Sequence, residues 1–368
     1  MKKCVIASDS FKGTLSSKQI ADLFEIEFKK AFPLAKLEKV VLGDGGENTL
    51  SVFSNHFTQG QYHVVEVTGP NFKKVNARYF AYNDIAVIEL AEAAGLSLID
   101  IKDVMSTTTY GVGELISDAY SKGYRKFYVA LGGSATNDGG CGLLAALGVR
   151  FINKDGESFV PTGGTLCNIS NIDISKFNYK DAHFTILSDV NNVMYGSTGA
   201  AYVFASQKGA SSEETKFLDE NLKYLNSLFV KTTGKDVSNI SGTGAAGAVS
   251  AGMLAFLNCE IVSGIDTILN LIKFDSIIKD ADYVITGEGR LDSQSFNGKL
   301  ISGVLKKTTK QNIKTICICG RSELKTIPSN TFYKVIETSP EQISPEQIRI
   351  NASNFYSNSV KTLLQNLK

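Results

Sequence analysis

Near its N-terminus the chain reads Val5-Ile6-Ala7-Ser8-Asp9-Ser10-Phe11-Lys12-Gly13, a short apolar run that passes into polar residues and glycine. A helical period of apolar residues follows this loop. The same order of apolar run, polar loop and helix recurs at residues 40–47, 127–140, 184–189, 283–290 and 315–321. Strands that alternate with helices predict an α/β fold with mainly parallel sheets.

Capping signals indicate where several of the helices begin. Ser16-x-x-Gln19 and Ser211-x-x-Glu214 are capping boxes, in which the serine hydroxyl and the later side chain each bond a free backbone N–H group. Ser344-Pro345 places proline at the first helical position, where its missing N–H group costs no hydrogen bond. The sequence therefore predicts helices that start directly after these three serines.

Residues 62–90 depart from the alternating pattern. Runs at 62–67, 75–82 and 85–90 predict neighbouring antiparallel strands joined by tight turns, which indicates entry into a second domain. At 368 residues the chain is long enough for two domains. We therefore predict a discontinuous domain made of residues 1–65 and 280–368, with residues 66–279 inserted as a second α/β domain.

Composition limits the partners that the chain can be expected to bind. Its 38 basic residues against 37 acidic residues give no reason to expect nucleic acid or an anionic membrane as a partner. No apolar run approaches the roughly 18 residues of a membrane span, and the N-terminus lacks the apolar core of a signal peptide. The six cysteines are scattered, and Cys317 and Cys319 are expected to be buried small hydrophobes. The expected compartment is the cytoplasm.

The polar loops that follow the predicted strands are the candidate ligand-binding segments, because ligands of open α/β sheets bind beyond the carboxyl ends of the strands. Lys12 precedes a helix N-terminus, where an anion is favoured. Residues 132–142 combine exposed amides with hydroxyl and amide side chains, which suits phosphate or substrate oxygens. In any single loop, glycine can serve turn geometry alone. The recurrence of acid, lysine and glycine in several such loops favours binding.

The densest of these loops spans residues 286–299 and contains Glu288, Arg290, Asp292, Gln294 and Lys299. Phosphoryl transfer needs such an assortment, since cations and amides stabilise charge on the phosphoryl oxygens and a carboxylate orients the attacking hydroxyl. Carboxylates also suit Mg²⁺, which takes one or two protein oxygens and keeps several waters. Structural ion pairing would explain some of these polar groups but hardly all five.

Several other catalytic systems lack their motifs in this sequence. Neither the P-loop motif nor the H-R-D catalytic loop of protein kinases occurs. None of His56, His63 and His183 lies beside a serine or cysteine motif, which argues against a Ser-His-Asp hydrolase and a zinc site. Residues 242–247 fit the dinucleotide motif G-x-G-x-x-G, but the polar segment 235–241 before them is no buried strand. A glycine-rich helix entry is the better interpretation.

The sequence resembles the bacterial glycerate kinase family of the type that lacks a P-loop, nearly from end to end. The most specific motifs are Thr109-Tyr110-Gly111-Val112-Gly113-Glu114-Leu115-Ile116, Gly132-Gly133-Ser134-Ala135-Thr136-Asn137-Asp138-Gly139-Gly140 and Thr286-Gly287-Glu288-Gly289-Arg290-Leu291-Asp292. Gln207-Lys208-Gly209-Ala210 and Gly298-Lys299 fall at the family's places as well. The chain departs from the family's pattern at Gly43, Asn48, Val193, Met194, Thr243 and Ala248, which puts loop shape and substrate preference in doubt.

The resemblance implies ATP- and Mg²⁺-dependent phosphorylation of D-glycerate, with 2-phosphoglycerate the favoured product. It also implies a flavodoxin-like parallel-sheet domain and an inserted mixed-sheet domain similar to a restriction endonuclease core, with the site between them. Two other classes of function remain open at this point. They are an NAD-dependent dehydrogenase and a non-catalytic protein that binds a small hydroxy acid.

Site residues follow from positions that match the family's motifs. As a hypothesis, Asp189 orients the acceptor hydroxyl, with Asp44 as the alternate, and Arg290 stabilises the transferring phosphoryl group. Lys12 and Lys208 contact phosphate or the glycerate carboxylate, and Glu288 and Asp292 hold Mg²⁺. Further substrate or phosphate contacts are expected from Ser8, Asp9, Ser10, Gly132, Gly133, Ser134, Asn137, Asp138, Asn192, Gly244 and Lys299.

Overall fold

A computed structural model describes residues 1–43, 46, 48–296, 300–324, 331–340 and 343–367. The chain divides into two compact units, which we call the split unit (Met1–Asp44 with Ile265–Lys368) and the central unit (Gly45–Gly264). The boundaries between the two units lie at 44/45 and 264/265, whereas the sequence predicts domain boundaries at 65/66 and 279/280. The domain limits themselves stay a prediction.

Strands and helices are labelled in chain order over the described residues. The strands are β1 (Lys3–Ile6), β2 (Lys36–Lys39), β3 (Gln61–Thr68), β4 (Lys74–Tyr82), β5 (Ile85–Glu89), β6 (Lys126–Ala130), β7 (Arg150–Ile152), β8 (Ser158–Phe159), β9 (Asn171–Asp173), β10 (His183–Leu187), β11 (Cys259–Val262), β12 (Tyr283–Leu291), β13 (Lys314–Ser322) and β14 (Lys334–Glu337). The helices are α1 (Ser17–Ala31), α2 (Thr49–His56), α3 (Ala91–Ala94), α4 (Tyr110–Ser121), α5 (Cys141–Ala146), α6 (Ala200–Phe204), α7 (Ser212–Thr233), α8 (Ala245–Phe256), α9 (Gly264–Leu271), α10 (Phe274–Ile278), α11 (Leu300–Lys310) and α12 (Pro345–Gln365).

The split unit contains a five-stranded sheet in which all neighbouring strands run parallel, in the order β2-β1-β12-β13-β14. Counted within this unit the order is 2-1-3-4-5, which is the flavodoxin-like arrangement. The predicted α/β fold with a parallel sheet is confirmed. The strand order reverses at β1, so the carboxyl ends of β1 and β12 form the switch point at which such sheets bind ligands.

The core of the split unit lies between this sheet and the pair α1 and α12. Helix α1 contributes Ile20, Phe24 and Phe28, and α12 contributes Tyr356 and Val360, all of them buried. The predicted helix starts are confirmed here. The hydroxyl of Ser16 accepts a hydrogen bond from the backbone of Gln19, the hydroxyl of Ser344 accepts one from Gln347, and Pro345 opens α12. The capping box at Ser211 is confirmed in the central unit.

The central unit contains a mixed six-stranded sheet in the order β11-β10-β6-β5-β4-β3. The predicted departure from alternation is confirmed, because β3 pairs with β4 and β4 with β5 in antiparallel fashion, while β5, β6, β10 and β11 run parallel. A small antiparallel sheet of β8, β7 and β9 lies in the same unit. Phe127 of β6 and Phe184 of β10 stack in the core of the central unit with ring centroids 4.7 Å apart.

A left-handed turn begins α8 and packs on the glycine-rich loop after β6. Ala246, Gly247 and Ala248 have φ angles of 54°, 70° and 67°, which L-residues with a Cβ rarely adopt. The carbonyl of Gly247 accepts a hydrogen bond of 3.0 Å from the Gly139 amide. A Cβ at Gly247 would lie 2.1 Å from the Thr136 carbonyl oxygen, so the turn holds that loop by direct backbone contact.

Substitution of Gly247 by alanine is expected to lower the free energy of unfolding by roughly 3 kcal/mol or more, because the new methyl group meets backbone rather than a flexible side chain. Gly234 is a matched control, since its φ of 75° is similar but no atom lies within 4 Å of its Cβ position. Gly234→Ala should cost about 1 kcal/mol, the strain of a left-handed L-residue. Urea denaturation measures both changes. Equal losses in the two variants would show that the loop at Thr136 moves aside at no cost.

Over the described ranges, no helix combines the length and hydrophobicity that a membrane span requires. Cys317 and Cys319 on β13 are both buried, as predicted.

Candidate active site

The carboxyl ends of β1 and β12 border a cavity of about 600 Å³ in the split unit, which we call the switch-point cavity. The residues predicted from sequence that line it are Asp9, Ser10, Lys12, Glu288, Arg290 and Asp292. They come from the loop after β1 and from the carboxyl end of β12, about 280 positions apart in the chain, because parallel strands bring their carboxyl ends to one sheet edge. The predicted loop at 286–299 begins later than expected, since β12 continues to Leu291 and includes Glu288 and Arg290. Cations and carboxylates therefore face one space.

The loop after β1 is fixed to β12 by two hydrogen bonds. The Ser8 hydroxyl donates to the Gly287 carbonyl over 3.0 Å, and the Asp9 amide donates to the same oxygen over 2.9 Å. A Cβ at Gly287 would lie 1.9 Å from the Ile318 carbonyl oxygen, so only glycine fits there. Ser8 is buried. Its position supports the loop, whereas Asp9, Ser10 and Lys12 line the cavity.

Arg290 extends into solvent at the edge of the switch-point cavity. Its guanidinium group donates to the Glu323 carboxylate, and its side chain is 66% exposed. The hydrogen bond to Glu323 raises the pKa of Arg290, so this side chain remains a cation at all working pH values. An exposed ion pair of this kind is easily exchanged for another anion.

The central unit brings two other predicted loops together around Lys208. Its Nζ atom donates to the Ser134 hydroxyl and to the Thr136 carbonyl, each over 2.7 Å, and the residue is only 2% exposed. Burial lowers the pKa of Lys208 to about 7, although the nearby carboxylate of Asp138 favours the charged form. We call this group, Ser134, Thr136, Asn137 and Lys208, the lysine pocket.

Asn137 and Thr136 carry buried polar atoms without a hydrogen-bond partner among the described residues. Both residues are fully buried, and the unpaired atoms are Oδ1 and Nδ2 of Asn137 and Oγ1 of Thr136. Buried polar groups are nearly always paired with protein, ordered water or a ligand. Lys208 donates to the Thr136 carbonyl, so the buried amine contacts the loop that carries these unsatisfied groups.

Asp138 is fully buried, and its oxygens accept four hydrogen bonds from the protein itself. Oδ2 accepts from the amide and hydroxyl of Thr109, each at 2.8 Å, and from the Gly142 amide, while Oδ1 accepts from the Gly140 amide. Burial raises the pKa of Asp138, and these donors partly offset the rise. The carboxylate thereby joins the start of α4 to the start of α5. Sequence reasoning quoted the motif containing Thr109 but gave that residue no role.

Asp189 follows β10, and its Oδ1 atom accepts hydrogen bonds from the Ser263 hydroxyl (2.8 Å) and the Gly264 amide (3.0 Å). These donors fix the orientation of the carboxylate. Asn192 lies in the same loop, where its carbonyl accepts from the Gly244 amide over 2.9 Å. A Cβ at Gly244 would lie 2.4 Å from the Val193 carbonyl, so this glycine allows two loops to interlock.

Of the remaining predicted residues, two lie in the loop after β6 and two lie outside the described residues. Gly132 and Gly133 are partly exposed at the end of β6, and the Gly133 carbonyl accepts from the Leu96 amide over 2.9 Å. Asp44 and Lys299 lie outside the described residues. The described predicted residues thus lie at the switch-point cavity in the split unit and, in the central unit, around Lys208 and in the loop after β10.

Raising the pH is expected to stabilise the wild type relative to Lys208→Met. The folded pKa of Lys208 is about 7, below the unfolded value of about 10.4, so unfolding takes up a proton between these pH values and stability rises with pH. The loss of unfolding free energy caused by burying Lys208 is therefore largest below pH ~7 and decreases as the pH rises above that value. The stability difference between the two proteins should change by about 2 kcal/mol from pH 7 to pH 9 in urea denaturation. Lys216→Met, at an exposed position of α7, should show no such change. If the free energies of unfolding of wild type and Lys208→Met depended on pH in the same way, a lowered pKa for a buried Lys208 would be contradicted.

The fold is that of a two-unit α/β enzyme, and comparison with known proteins gives its family. Residues 4–368 match the profile of the glycerate kinase family. The glycerate kinase of Bacillus cereus is 43% identical over 324 residues, covering 86% of this chain and 85% of that protein. The glycerate 2-kinase of Escherichia coli is 39% identical over 324 residues, with the same coverage. A crystal structure of putative glycerate kinase 2 from Salmonella typhimurium LT2 has a TM-score of 0.85 at 34% identity, covering 100% of this chain and 98% of that one.

The chain belongs to the glycerate kinase family. It is therefore a kinase, small molecules are its substrates, and ATP is the phosphate donor that this activity implies.

Proposed function

We propose that the enzyme transfers the γ-phosphoryl group of ATP to the 2-hydroxyl of D-glycerate and releases 2-phosphoglycerate and ADP. The observation that carries this proposal is the switch-point cavity, which places Lys12 and Arg290 beside Asp9, Glu288 and Asp292. Cations of this kind offset the charge of a triphosphate and of the transferring group. The choice of the 2-hydroxyl is supported by the name of the Escherichia coli relative.

Lys12 and Arg290 are assigned to the phosphates in this proposal. Lys12 is exposed at the rim of the cavity and acts as a point charge, whereas the planar guanidinium of Arg290 suits paired phosphoryl oxygens. Arg290 then exchanges Glu323 for the transferring phosphoryl group. Because this group gains charge separation in the transition state, the contact is strongest there and raises kcat.

The residues present fit a magnesium ion held jointly with the nucleotide. Across the described ranges no group of three His, Cys, Asp or Glu side chains forms a ready-made metal cage. Mg²⁺ needs none, since in kinases it binds one or two carboxylates together with substrate phosphates. Glu288 and Asp292 are the proposed carboxylates. When bound, the ion would offset charge on the phosphate oxygens.

Asp189 is the proposed residue that orients the acceptor hydroxyl and accepts its proton, with Asp44 as the alternate. Its fixed carboxylate meets the need of a general base for a defined position. The amides and hydroxyl of Gly132, Gly133 and Ser134 are proposed to bind substrate oxygens. For Asp138 the bonds to Thr109, Gly140 and Gly142 support a positioning role rather than a contact with substrate. A cytoplasmic location stays a prediction.

The activity is tested by ADP release in a coupled assay with and without D-glycerate. We expect ADP release that requires D-glycerate and Mg²⁺ and a product that enolase converts directly to phosphoenolpyruvate. L-Glycerate and glycerol serve as control acceptors. Glycerate-independent ADP release would overturn the proposal, and a product that enolase converts only after addition of phosphoglycerate mutase would overturn the choice of the 2-hydroxyl.

A further inference from the structure

Strand β3 forms one edge of the six-stranded sheet in the central unit, because among the described strands it pairs with β4 alone. It has eight residues, whereas β11 at the opposite edge has four. An edge strand presents a row of backbone N–H and C=O groups that its own sheet leaves unpaired, and proteins usually protect such a row with lysine, proline or a very short strand. Gln61–Thr68 is long and contains neither lysine nor proline.

The pairing of β3 with β4 shows which backbone groups of β3 point outward. The Gly69 amide donates to the Lys73 carbonyl over 2.7 Å at the closed end of this hairpin. Hydrogen-bonded pairs alternate along an antiparallel ladder, so the odd-numbered residues of β3 bond β4 and the even-numbered residues face away from it. The outward backbone groups without a partner in the described part of the chain belong to Tyr62, Val64 and Glu66.

Both ends of this outward row are closed by the protein itself. The amide of Thr68 donates to the Glu114 carboxylate over 2.5 Å, and the amide of Gly60 donates to the Phe57 carbonyl over 2.9 Å. The open part of the edge is therefore a window of three outward residues with Val64 at its centre. The Val64 side chain is 68% exposed, so no other segment of the chain covers this window.

A window that is centred on one residue can pair with a second copy of itself. Antiparallel pairing about a two-fold axis at Val64 places Val64 opposite Val64 and Tyr62 opposite Glu66. Each of these is a hydrogen-bonded pair, in which both residues exchange their N–H and C=O groups. The outward groups of all three residues are satisfied in this register, whereas a shift by two positions leaves one residue of each copy unpaired.

The side chains along the edge have complementary charges across the same axis. Glu66 is exposed and has no ion pair among the described residues. Arg78 extends from β4 over β3, since its guanidinium carbon lies 4.9 Å from the centroid of the Tyr62 ring while its Nε atom donates to Glu92. Pairing about Val64 brings Glu66 of each copy beside Tyr62 and Arg78 of the other copy. A net charge of +1 adds little repulsion between two copies.

We propose that the chain forms a two-fold symmetric dimer in which β3 pairs with β3 of a second copy, so that the two six-stranded sheets continue into one sheet. The axis at Val64 uses the open edge of both copies, so the assembly closes at two. Main-chain hydrogen bonds give such strand addition its affinity, and the contact between Glu66 and Arg78 favours a second copy over an unrelated strand. The interface contains none of the residues assigned to phosphoryl transfer.

Sedimentation velocity of the full chain over a range of protein concentrations tests the proposal. Wild type is expected to show a monomer–dimer equilibrium. Val64→Pro removes an outward N–H group without breaking a bond to β4, and it should weaken association by about 100-fold, because two hydrogen bonds at the axis are lost and their carbonyls are left unpaired. Val64→Thr is the matched control, since it keeps the N–H group and a β-branched side chain, and it should dimerise as wild type does. Circular dichroism verifies that both variants are folded.

Disulfide cross-linking tests the register and decides the question even if Val64→Pro fails to fold. The exposed Cys167 is first replaced by serine. On this background Val64→Cys should form an interchain disulfide on mild oxidation, because the Cα atoms of a hydrogen-bonded pair lie about 5.5 Å apart, within the span of a disulfide. Tyr62→Cys is the control, since its two copies lie about four positions apart along the paired strands, on the order of 13 Å, and should not cross-link.

A chain that remains monomeric at every concentration overturns the proposal, and so does a dimer that Val64→Pro leaves intact. Cross-linking by Tyr62→Cys in place of Val64→Cys contradicts the two-fold axis at Val64. Assemblies that grow beyond two copies contradict the closed dimer, because pairing of β3 with β3 leaves neither copy an open β3 edge.

Discussion

Replacing Arg290 with alanine is expected to lower kcat by about 10³-fold, the scale at which an arginine that stabilises a transferring phosphoryl group acts. The same change should leave folding stability unaltered, because the guanidinium is 66% exposed and its ion pair with Glu323 lies at the surface. A large kinetic effect without a stability effect is the signature of a group that acts on the transition state. Steady-state kinetics at saturating ATP and D-glycerate, with thermal denaturation alongside, measure both.

Three further variants make the Arg290 result specific. Arg349→Ala removes an exposed arginine from α12 in the same unit and should keep wild-type kcat. Glu323→Gln removes the partner of Arg290 and should change kcat little, since the proposed mechanism exchanges that ion pair for the phosphoryl group. Arg290→Lys should recover part of the loss because a point charge remains without the planar fork. Turnover within threefold of wild type in Arg290→Ala would remove this residue from the transition state.

Asp189→Asn is expected to lower kcat by 10²- to 10⁴-fold, the usual contribution of a positioned general base. Asparagine keeps an oxygen that accepts from Ser263 and Gly264, so these two hydrogen bonds persist while the basic carboxylate is lost. Mg·ATP binding should therefore be unchanged in calorimetry. The combination of lost turnover and retained nucleotide binding distinguishes a failed base from a misfolded loop.

Ser263→Ala is the matched control for Asp189, because it removes one hydrogen-bond donor to the carboxylate and leaves the carboxylate in place. A small loss of kcat in this variant would agree with a chemical role for Asp189. Should Ser263→Ala lose as much activity as Asp189→Asn, the carboxylate would be needed for the structure of its loop. Near-normal turnover in Asp189→Asn would leave Asp44 as the next candidate.

Much of the fold was predictable from periodicity, because strand–loop–helix alternation has few stable arrangements. The antiparallel β3, β4 and β5 were recognisable from alternating apolar residues interrupted by short turns. The switch-point cavity was predictable in part for the same reason, since parallel strands deliver their loops to one edge. Ser10, Lys12 and Arg290 line that cavity as a result.

Features that depend on distant partners were not predictable from local sequence. Nothing near Asp138 shows that Thr109, 29 positions earlier, satisfies its carboxylate. The burial of Lys208 could not be predicted from local sequence either, because a lysine in a polar loop is usually solvated. Ala246 and Ala248 adopt left-handed angles that alanine avoids on its own, so tertiary packing overrides local preference there.

The two-segment composition of the split unit has a consequence for the newborn protein on the ribosome. In the parallel sheet, Cys4 of β1 lies beside Tyr283 of β12. The ribosome must therefore add 279 residues after Cys4 before this part of β12 has been synthesised. At translation rates of about 5–20 residues per second the delay is roughly a quarter to a full minute. The whole of Gly45–Gly264 emerges in that interval as one uninterrupted segment. The central unit should therefore fold before the split unit, and β1 should be among the last strands to complete its pairing in a sheet.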